Sequence, residues 1–365
     1  MTLIVDSHQD LAWNILTFGR DYTCSAEETR LAERGRPVIS HNGDTLLGWP
    51  DYQRGHVSVV FSTLFSTPAR WAFEWEPVYY KDTSQAKKQY TQQLDIYYRL
   101  ADNHPDKFQL ITNTSTLDNL LANQAEAISK EKDYPVGLVP LMEGAECIEH
   151  PDELELWRDR GLRIIGPAWS GTRYCGGTNE PGPLTKEGML LLEAMADLGF
   201  TLDISHMDEK AALQSLEMYP GSIIATHANC LSLLPGSESN RHLSDRVIQG
   251  LLERDGIIGV IPFNRFLKSG WLLAAGSRRE EVPLDLLVAH IDHICQMAGV
   301  AWHVALGTDF DGGFGLQSTP VGIDTIADLQ KLEPLLSMHG YSQTDIEAVL
   351  GTNWLNQLHK TLPNE

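Results

Sequence analysis

A (β/α)8 TIM barrel is the α/β fold that this sequence predicts, on three observations. Apolar runs rich in Val, Ile and Leu recur eight times, amphipathic segments lie between them, and 365 residues is an ordinary length for such a barrel with insertions. The runs are near-continuous rather than alternating, as strands covered on both faces must be. In order they span residues 3–6, 57–64, 136–142, 162–168, 200–205, 222–226, 256–263 and 303–307. Helical periodicity appears at 85–101, 185–198, 208–218, 244–253 and 284–298. Start signals reinforce two of these, Thr185 with Glu187 close behind and Ser244-Asp245 ahead of Val247 and Leu251.

No linker rich in Pro, Gly or Ser and no internal repeat divides the chain, so residues 1–365 read as one domain. Two stretches are long for strand-to-helix loops: 17–54, and the aromatic-rich 68–81 with Trp71, Phe73, Trp75, Tyr79 and Tyr80. Insertions of this kind are expected over the catalytic mouth of a barrel. Hydrophobic residues at 42% and charged residues at 21% supply a large core and exclude a disordered chain. Lys plus Arg is 28 and Asp plus Glu is 49, so 28 − 49 gives a formal charge of −21. Such a surface repels phosphate backbones and anionic lipid, which argues against nucleic acid as a partner.

Five cysteines without CxxC spacing, Cys24, Cys147, Cys175, Cys230 and Cys295, do not form a disulfide framework. They read as small buried apolar residues. The chain starts directly on Leu3-Ile4-Val5, without a basic segment and apolar stretch, and ends on a polar tail with no anchor signal. No apolar run approaches the roughly 20 residues of a membrane helix. A reducing cytoplasm is the expected setting, and a homodimer stays open on frequency alone.

The informative feature is where the ionisable residues fall. His8 and Asp10 follow the first run, Glu143 ends the third, His206 the fifth and His227 the sixth, while Asp309 follows the eighth. Those are the C-terminal strand ends, the face on which barrel enzymes assemble their sites. His206 and His227 stand 227 − 206 = 21 residues apart, about one strand–helix unit, so both can reach one mouth. Taken singly, each has an ordinary explanation. A strand-end histidine can be structural, Asp10 or Asp309 can cap a helix, and Asp309-Phe310-Asp311-Gly312 can be a turn. Together they are a set of imidazole and carboxylate ligands that suits zinc and its neighbours without a thiolate. They exceed what one catalytic zinc needs and match two divalent metals sharing a carboxylate. Such a pair polarises a carbonyl and turns water into hydroxide near neutral pH.

The motifs carry a resemblance. Val5-Asp6-Ser7-His8-Gln9-Asp10-Leu11-Ala12-Trp13, Leu141-Met142-Glu143-Gly144, Leu202-Asp203-Ile204-Ser205-His206 and Thr226-His227-Ala228 come first. Asn240-Arg241-His242-Leu243-Ser244-Asp245, His290-Ile291-Asp292-His293-Ile294 and Gly307-Thr308-Asp309-Phe310-Asp311-Gly312 follow. In this order the chain resembles the membrane (renal) dipeptidases, peptidase family M19 of the amidohydrolase superfamily. The resemblance implies a barrel of the metal-dependent hydrolase type that cleaves dipeptides with a metal-bridging hydroxide, often with a D-residue at the C-terminal position. It implies that His8 and Asp10 bind one zinc, His206 and His227 the other, and that Glu143 bridges them. It further implies that Asp309 moves the proton and that Arg241 holds the substrate carboxylate.

One position departs from the family. Where the family has a substrate-contacting histidine after strand four, this chain reads Ile165-Gly166-Pro167-Ala168-Trp169-Ser170. Trp169 stands in that place as a substrate-binding candidate, and an indole donates from its N–H but cannot accept as imidazole does. Two other functions stay open: an amidohydrolase acting on another carboxylate-bearing amide such as an N-acyl amino acid, and an inactive barrel kept for binding.

Overall fold

Runs of Val, Ile and Leu that are apolar on both sides can only be satisfied between two layers, and here they line up in parallel inside a ring of helices. The computed structural model describes residues 2–364. The central strands are β1 (Ile4–Gln9), β2 (Val57–Leu64), β3 (Val136–Glu143), β4 (Ile164–Gly166), β5 (Thr201–Asp203), β6 (Ile223–Ile224), β7 (Ile258–Val260) and β8 (Val304–Leu306). All eight fall within or beside the predicted runs, and every residue in them is buried. The pairing order is β6-β5-β4-β3-β2-β1-β8-β7.

The ring is nearly closed, and small residues close it. Ala225, just past β6, pairs in parallel with Ile258 of β7. A Cβ on Gly259 would lie 2.0 Å from the Thr226 carbonyl oxygen, and one on Gly307 would lie 1.8 Å from it. Ser7 Oγ fills the remaining space and donates to that same oxygen at 2.5 Å. The seam therefore depends on two glycines and one small hydroxyl. The register sets the site's height. Glu143 is level with Gly166 and Leu202 with Ile165, while Asp203 is level with Ile224. His206 and His227 each lie three residues beyond that last pair (206 − 203 and 227 − 224), so they emerge together.

The helices start where the caps predict. They are α1 (Leu11–Phe18), α2 (Thr83–Asn103), α3 (Lys186–Asp197), α4 (Glu209–Met218), α5 (Asp245–Glu253) and α6 (Asp285–Ala298). Thr185 accepts from the Gly188 N–H and Ser244 from the Val247 N–H, each satisfying a free first-turn donor. The predicted 85–101 segment is longer at both ends, and its earlier start is set by Asp82, which caps it through the Gln85 N–H. Elements without a strong sequence signal also appear, including a short strand Phe108–Leu110 against β3 and an antiparallel hairpin of Cys175–Gly177 with Glu180–Leu184. The five cysteines are free, and all but Cys24 are buried.

The 17–54 stretch folds as three short helices, Ala26–Glu33, Val38–Asn42 and Trp49–Arg54, and is tied to the barrel mouth by one buried cation. Arg20 grips Glu33 through two nitrogens at 3.0 and 3.1 Å and lies 3.0 Å from Asp311 Oδ2. Asp311 also accepts from the Tyr22 hydroxyl at 3.0 Å and the Leu46 N–H at 2.9 Å. Removing one partner of a buried ion pair leaves an uncompensated charge, which costs about 3–5 kcal/mol. Arg20→Met should lower stability by about that amount in urea unfolding. A loss below about 1 kcal/mol would show that the insertion is held by something else.

Candidate active site

The catalytic face is assembled from strand ends that the chain could not bring together locally. His8 is the second-last residue of β1 and Asp10 lies just after it, and Glu143 closes β3. Asp309 lies three residues beyond Leu306, the last of β8 (309 − 306). His206 and Asp309 adopt left-handed backbone, with φ of 65° and 55°. Non-glycine residues take that conformation at a cost, and they do so mostly where surrounding structure forces a side chain into place. The cap explanation for Asp10 does not hold. It occupies the N-cap position of α1, but its side chain makes no capping hydrogen bond. Asp309 does start a turn, with the Gly312 N–H donating to its carbonyl at 2.9 Å, and its carboxylate is left to face His8.

The Glu143 carboxylate divides the site in two. Its Oε1 lies 3.2 Å from His206 Nε2 and 3.2 Å from His227 Nε2, and those two nitrogens are 3.0 Å apart. Its Oε2 faces His8 Nε2 at 3.7 Å. His8 Nε2 is in turn 3.9 Å from Asp10 Oδ2 and 3.9 Å from Asp309 Oδ1. His8 and His227 stack, with ring centroids 3.6 Å apart. Gly312 leaves the space these carboxylates need, since a Cβ there would sit 1.9 Å from Asp309 Oδ1 and 2.9 Å from Asp10 Oδ2.

Hydrogen bonds behind the rings assign one tautomer. The Thr226 hydroxyl donates to Asp203 Oδ2, so at 2.9 Å it accepts from His227 Nδ1–H. His227 Nε2 then carries a lone pair and points at Glu143 and His206. Thr178 Oγ1 lies 2.9 Å from His206 Nδ1 and supports that ring in the same way. Supporting groups of this kind orient ligand imidazoles and raise their basicity.

Electrostatics agree with a cation site. Burial, with the Arg241 charge nearby, pushes His8 down to about 3, and burial and neighbouring cations hold His206 and His227 well below the imidazole range. All three rings are therefore neutral at pH 7. Burial and like charge push the acids the other way: Asp10 to about 7 beside Asp311, and Glu143 and Asp309 well above the carboxylate range beside Asp10. Crowded carboxylates and neutral imidazoles want positive charge between them. His8 Nε2, Asp10 Oδ1 and Glu143 Oε1 are buried without a hydrogen-bond partner, which fits metal ligation. His8, Glu143 and His227 form one group within metal-binding reach, and His8, Asp10 and Asp309 form another.

Arg241 sits beside this cluster and is only 4% exposed. Its Nη2 donates to the His227 carbonyl at 2.7 Å, while Nε and Nη1 have no partner. The surface ion pair with Asp245 does not form: Arg241 is buried, and Asp245 faces His293 at 2.8 Å. Trp169 lines the same cavity, its ring centroid 6.2 Å from His206 and 5.2 Å from Phe65. That cavity measures about 940 Å3 and opens over Asp10, Glu143, His206, Arg241 and Asp309.

The predicted residues thus converge on one mouth. Sequence reasoning missed the residues behind the rings. Thr178 sits in the 175–184 hairpin, which has no periodic signal, and Asp203 and Thr226 look like ordinary strand ends. Also missed was the loop after β7, whose Phe263, Phe266 and Trp271 wall the cavity. Its aromatic content was the available clue.

The family model of membrane dipeptidase, peptidase family M19, matches residues 1–362. This chain belongs to that family. It is therefore an enzyme of the metallodipeptidase class, a hydrolase acting on small peptides, and the class implies a divalent metal. This M19 chain is 31% identical over 260 residues to an uncharacterized protein in the pqqA 5' region of Klebsiella pneumoniae, 68% of this chain and 91% of that one. Among solved structures it superposes on the M19 dipeptidase AC with a TM-score of 0.76, at 24% identity and 99% coverage of both chains. It also matches a metallo peptidase from Rhodobacter sphaeroides, solved with a phosphinate mimic of L-Ala-D-Ala, with a TM-score of 0.77 at 24% identity. That match covers 99% of this chain and 100% of the other. These likenesses agree with the predicted barrel of the metal-dependent hydrolase type. Among the described residues of this M19 chain, no helix is long and apolar enough to cross a membrane.

Removing the hydroxyl behind His227 tests the tautomer. Thr226→Val keeps the side-chain shape but should weaken divalent-metal binding about 10–100-fold, measured by chelator competition. Unchanged affinity would mean that the Thr226 hydroxyl does not orient the ring.

Proposed function

We propose that this M19 enzyme is a zinc-dependent dipeptidase with two metal ions and Glu143 between them. The observation that carries the reading is the division of the Glu143 carboxylate, one oxygen toward His206 and His227 and the other toward His8. Three neutral imidazoles with carboxylates and no thiolate favour zinc. Bound divalent ions supply a Lewis acid for the scissile carbonyl and acidify the attacking water. His8 and Asp10 hold one ion, and His206 and His227 the other. Asp309 accepts the proton of the attacking water and returns it to the leaving nitrogen, and the Arg241 charge opposes the burial that would keep its carboxyl protonated. Arg241 holds the substrate's C-terminal carboxylate through a charge-assisted hydrogen bond from an unpartnered N–H of its guanidinium. Trp169 packs against the substrate where the family has a histidine. Dipeptides ending in a D-residue are included, supported by the likeness to the Rhodobacter sphaeroides enzyme. The unpaired cysteines support a reducing, cytoplasmic setting.

The metal-loaded protein should hold close to two divalent ions per chain by elemental analysis. Asp309→Asn should keep both and lower kcat on a dipeptide by about 10²–10⁴-fold. Normal turnover in this variant would remove Asp309 from the chemistry, and absence of metal after loading would sink the proposal as a whole.

Arg241→Met should reduce kcat/KM on a free dipeptide by about 10–150-fold and have much less effect on the dipeptide amide. Equal losses on acid and amide would show that Arg241 does not read the carboxylate. An N-acyl amino acid cleaved faster than every dipeptide would favour the broader amidohydrolase reading.

A further inference from the structure

We propose that the amino-terminal residue of the substrate carries a large aromatic or branched apolar side chain, received by a wall of Trp13, Phe65, Trp75 and Trp169. The inference rests on the dipeptidase reading with Arg241 at the carboxylate end, and it follows from the order of the strands. Arg241 enters from the loop after β6, and Glu143 stands near the middle of the mouth. In a ring of eight strands β2 lies four positions from β6 (6 − 2), directly across the mouth. A dipeptide held by its carboxylate at Arg241, with its amide bond over Glu143, therefore sends its amino-terminal residue toward the end of β2.

What waits there is aromatic. Phe65 follows β2 directly, with Trp13 at 6.4 Å and Trp169 at 5.2 Å between ring centroids. Above them the 68–81 stretch brings in Trp75, stacked on His41 at 4.2 Å, and Phe73, stacked on Trp75 at 5.6 Å. Phe73 is 66% exposed, although it lines the cavity. The stretch is fastened rather than loose. Thr67–Pro68 pairs with Tyr79–Tyr80, and Arg70 binds both oxygens of Glu180 at 2.7 Å, joining it to the hairpin beyond β4.

The four rings of this wall carry no charge, and the acids beside them are already hydrogen-bonded. Glu180 is taken by Arg70, and the Glu76 carboxylate accepts from the Thr67 hydroxyl. An acidic side chain placed there would lose its water without gaining a partner. A cavity of about 940 Å3 is near the top of the range for drug-sized ligands, so two small residues would leave much of the aromatic surface wet. Apolar burial is what such a surface rewards.

The test uses metal-loaded enzyme and phosphinate pseudodipeptides with Phe, Ala or Lys on the amino side and Ala on the carboxyl side, plus the reversed Ala–Phe analogue. Binding is read by tryptophan fluorescence, and kcat/KM is measured on the matching dipeptides. Phe on the amino side should bind about 10–100-fold more tightly than Ala, and the reversed analogue should gain less. Trp75→Ala and Phe65→Leu should each reduce the Phe-to-Ala ratio about tenfold, a selectivity that general loss of fold would not alter. Equal affinity for Phe and Ala, preference for Lys, or a larger gain for the reversed analogue would overturn the proposal. Tight selective binding without hydrolysis of any dipeptide would sink the dipeptidase reading and leave the wall standing. Hydrolysis without selectivity would do the reverse.

Discussion

The Glu143 carboxylate is the constraint around which the rest is arranged. It is 5% exposed and faces imidazoles on both oxygens, a position in which an isolated negative charge would be strongly disfavoured. Asp10 and Asp309 add like charge nearby. Such a cluster persists in a stable fold only if positive charge can be placed among the acids, or if they take up protons instead. The same arrangement that strains the metal-free site makes it avid for a cation. Stability and chemistry are linked here through one side chain.

Everything beneath that carboxylate serves to hold it still. The ladder register brings the ends of β3, β4, β5 and β6 to one level, and the glycine-lined seam lets β6 approach β7 closely enough to close the ring. Asp203 then ties the two histidine-bearing loops together, accepting from the Ser205 and Thr226 N–H groups at 2.9 and 3.0 Å. On the opposite arc Asp6 does the same for β8, accepting from the Thr308 N–H at 2.7 Å. Two buried aspartates thus set the positions of two candidate ligands and the candidate base.

The two insertions divide the remaining work. Residues 17–54 brace Asp311, next to the candidate base, through Arg20, and bring His41 to the cavity. Residues 68–81 lie over the mouth and face it with indole and phenyl rings. Their chemistry matches their duties: a buried ion network suits rigid support, and aromatic surface suits contact with a bound molecule.

The barrel and the site's chemical character were legible in the residues themselves. Near-continuous apolar runs betray strands buried on both faces, and ionisable residues at the ends of those runs betray the catalytic mouth, because strand direction decides on which face a strand end emerges. His8, Asp10, Glu143, His206, His227 and Asp309 could be picked out for that reason. Other features had no local signal. Whether Asp10 capped a helix or faced the other candidate ligands depended on where its side chain turned, and only the fold showed that Asp245 pairs with His293 and not with Arg241. Thr178 and Thr226 became supports for imidazoles only when the hairpin and β6 came within hydrogen-bond distance. Ring closure also put the 68–81 aromatics across from Arg241. Periodicity records which face of an element is buried, whereas contacts between distant segments depend on register and closure, which are properties of the assembled barrel.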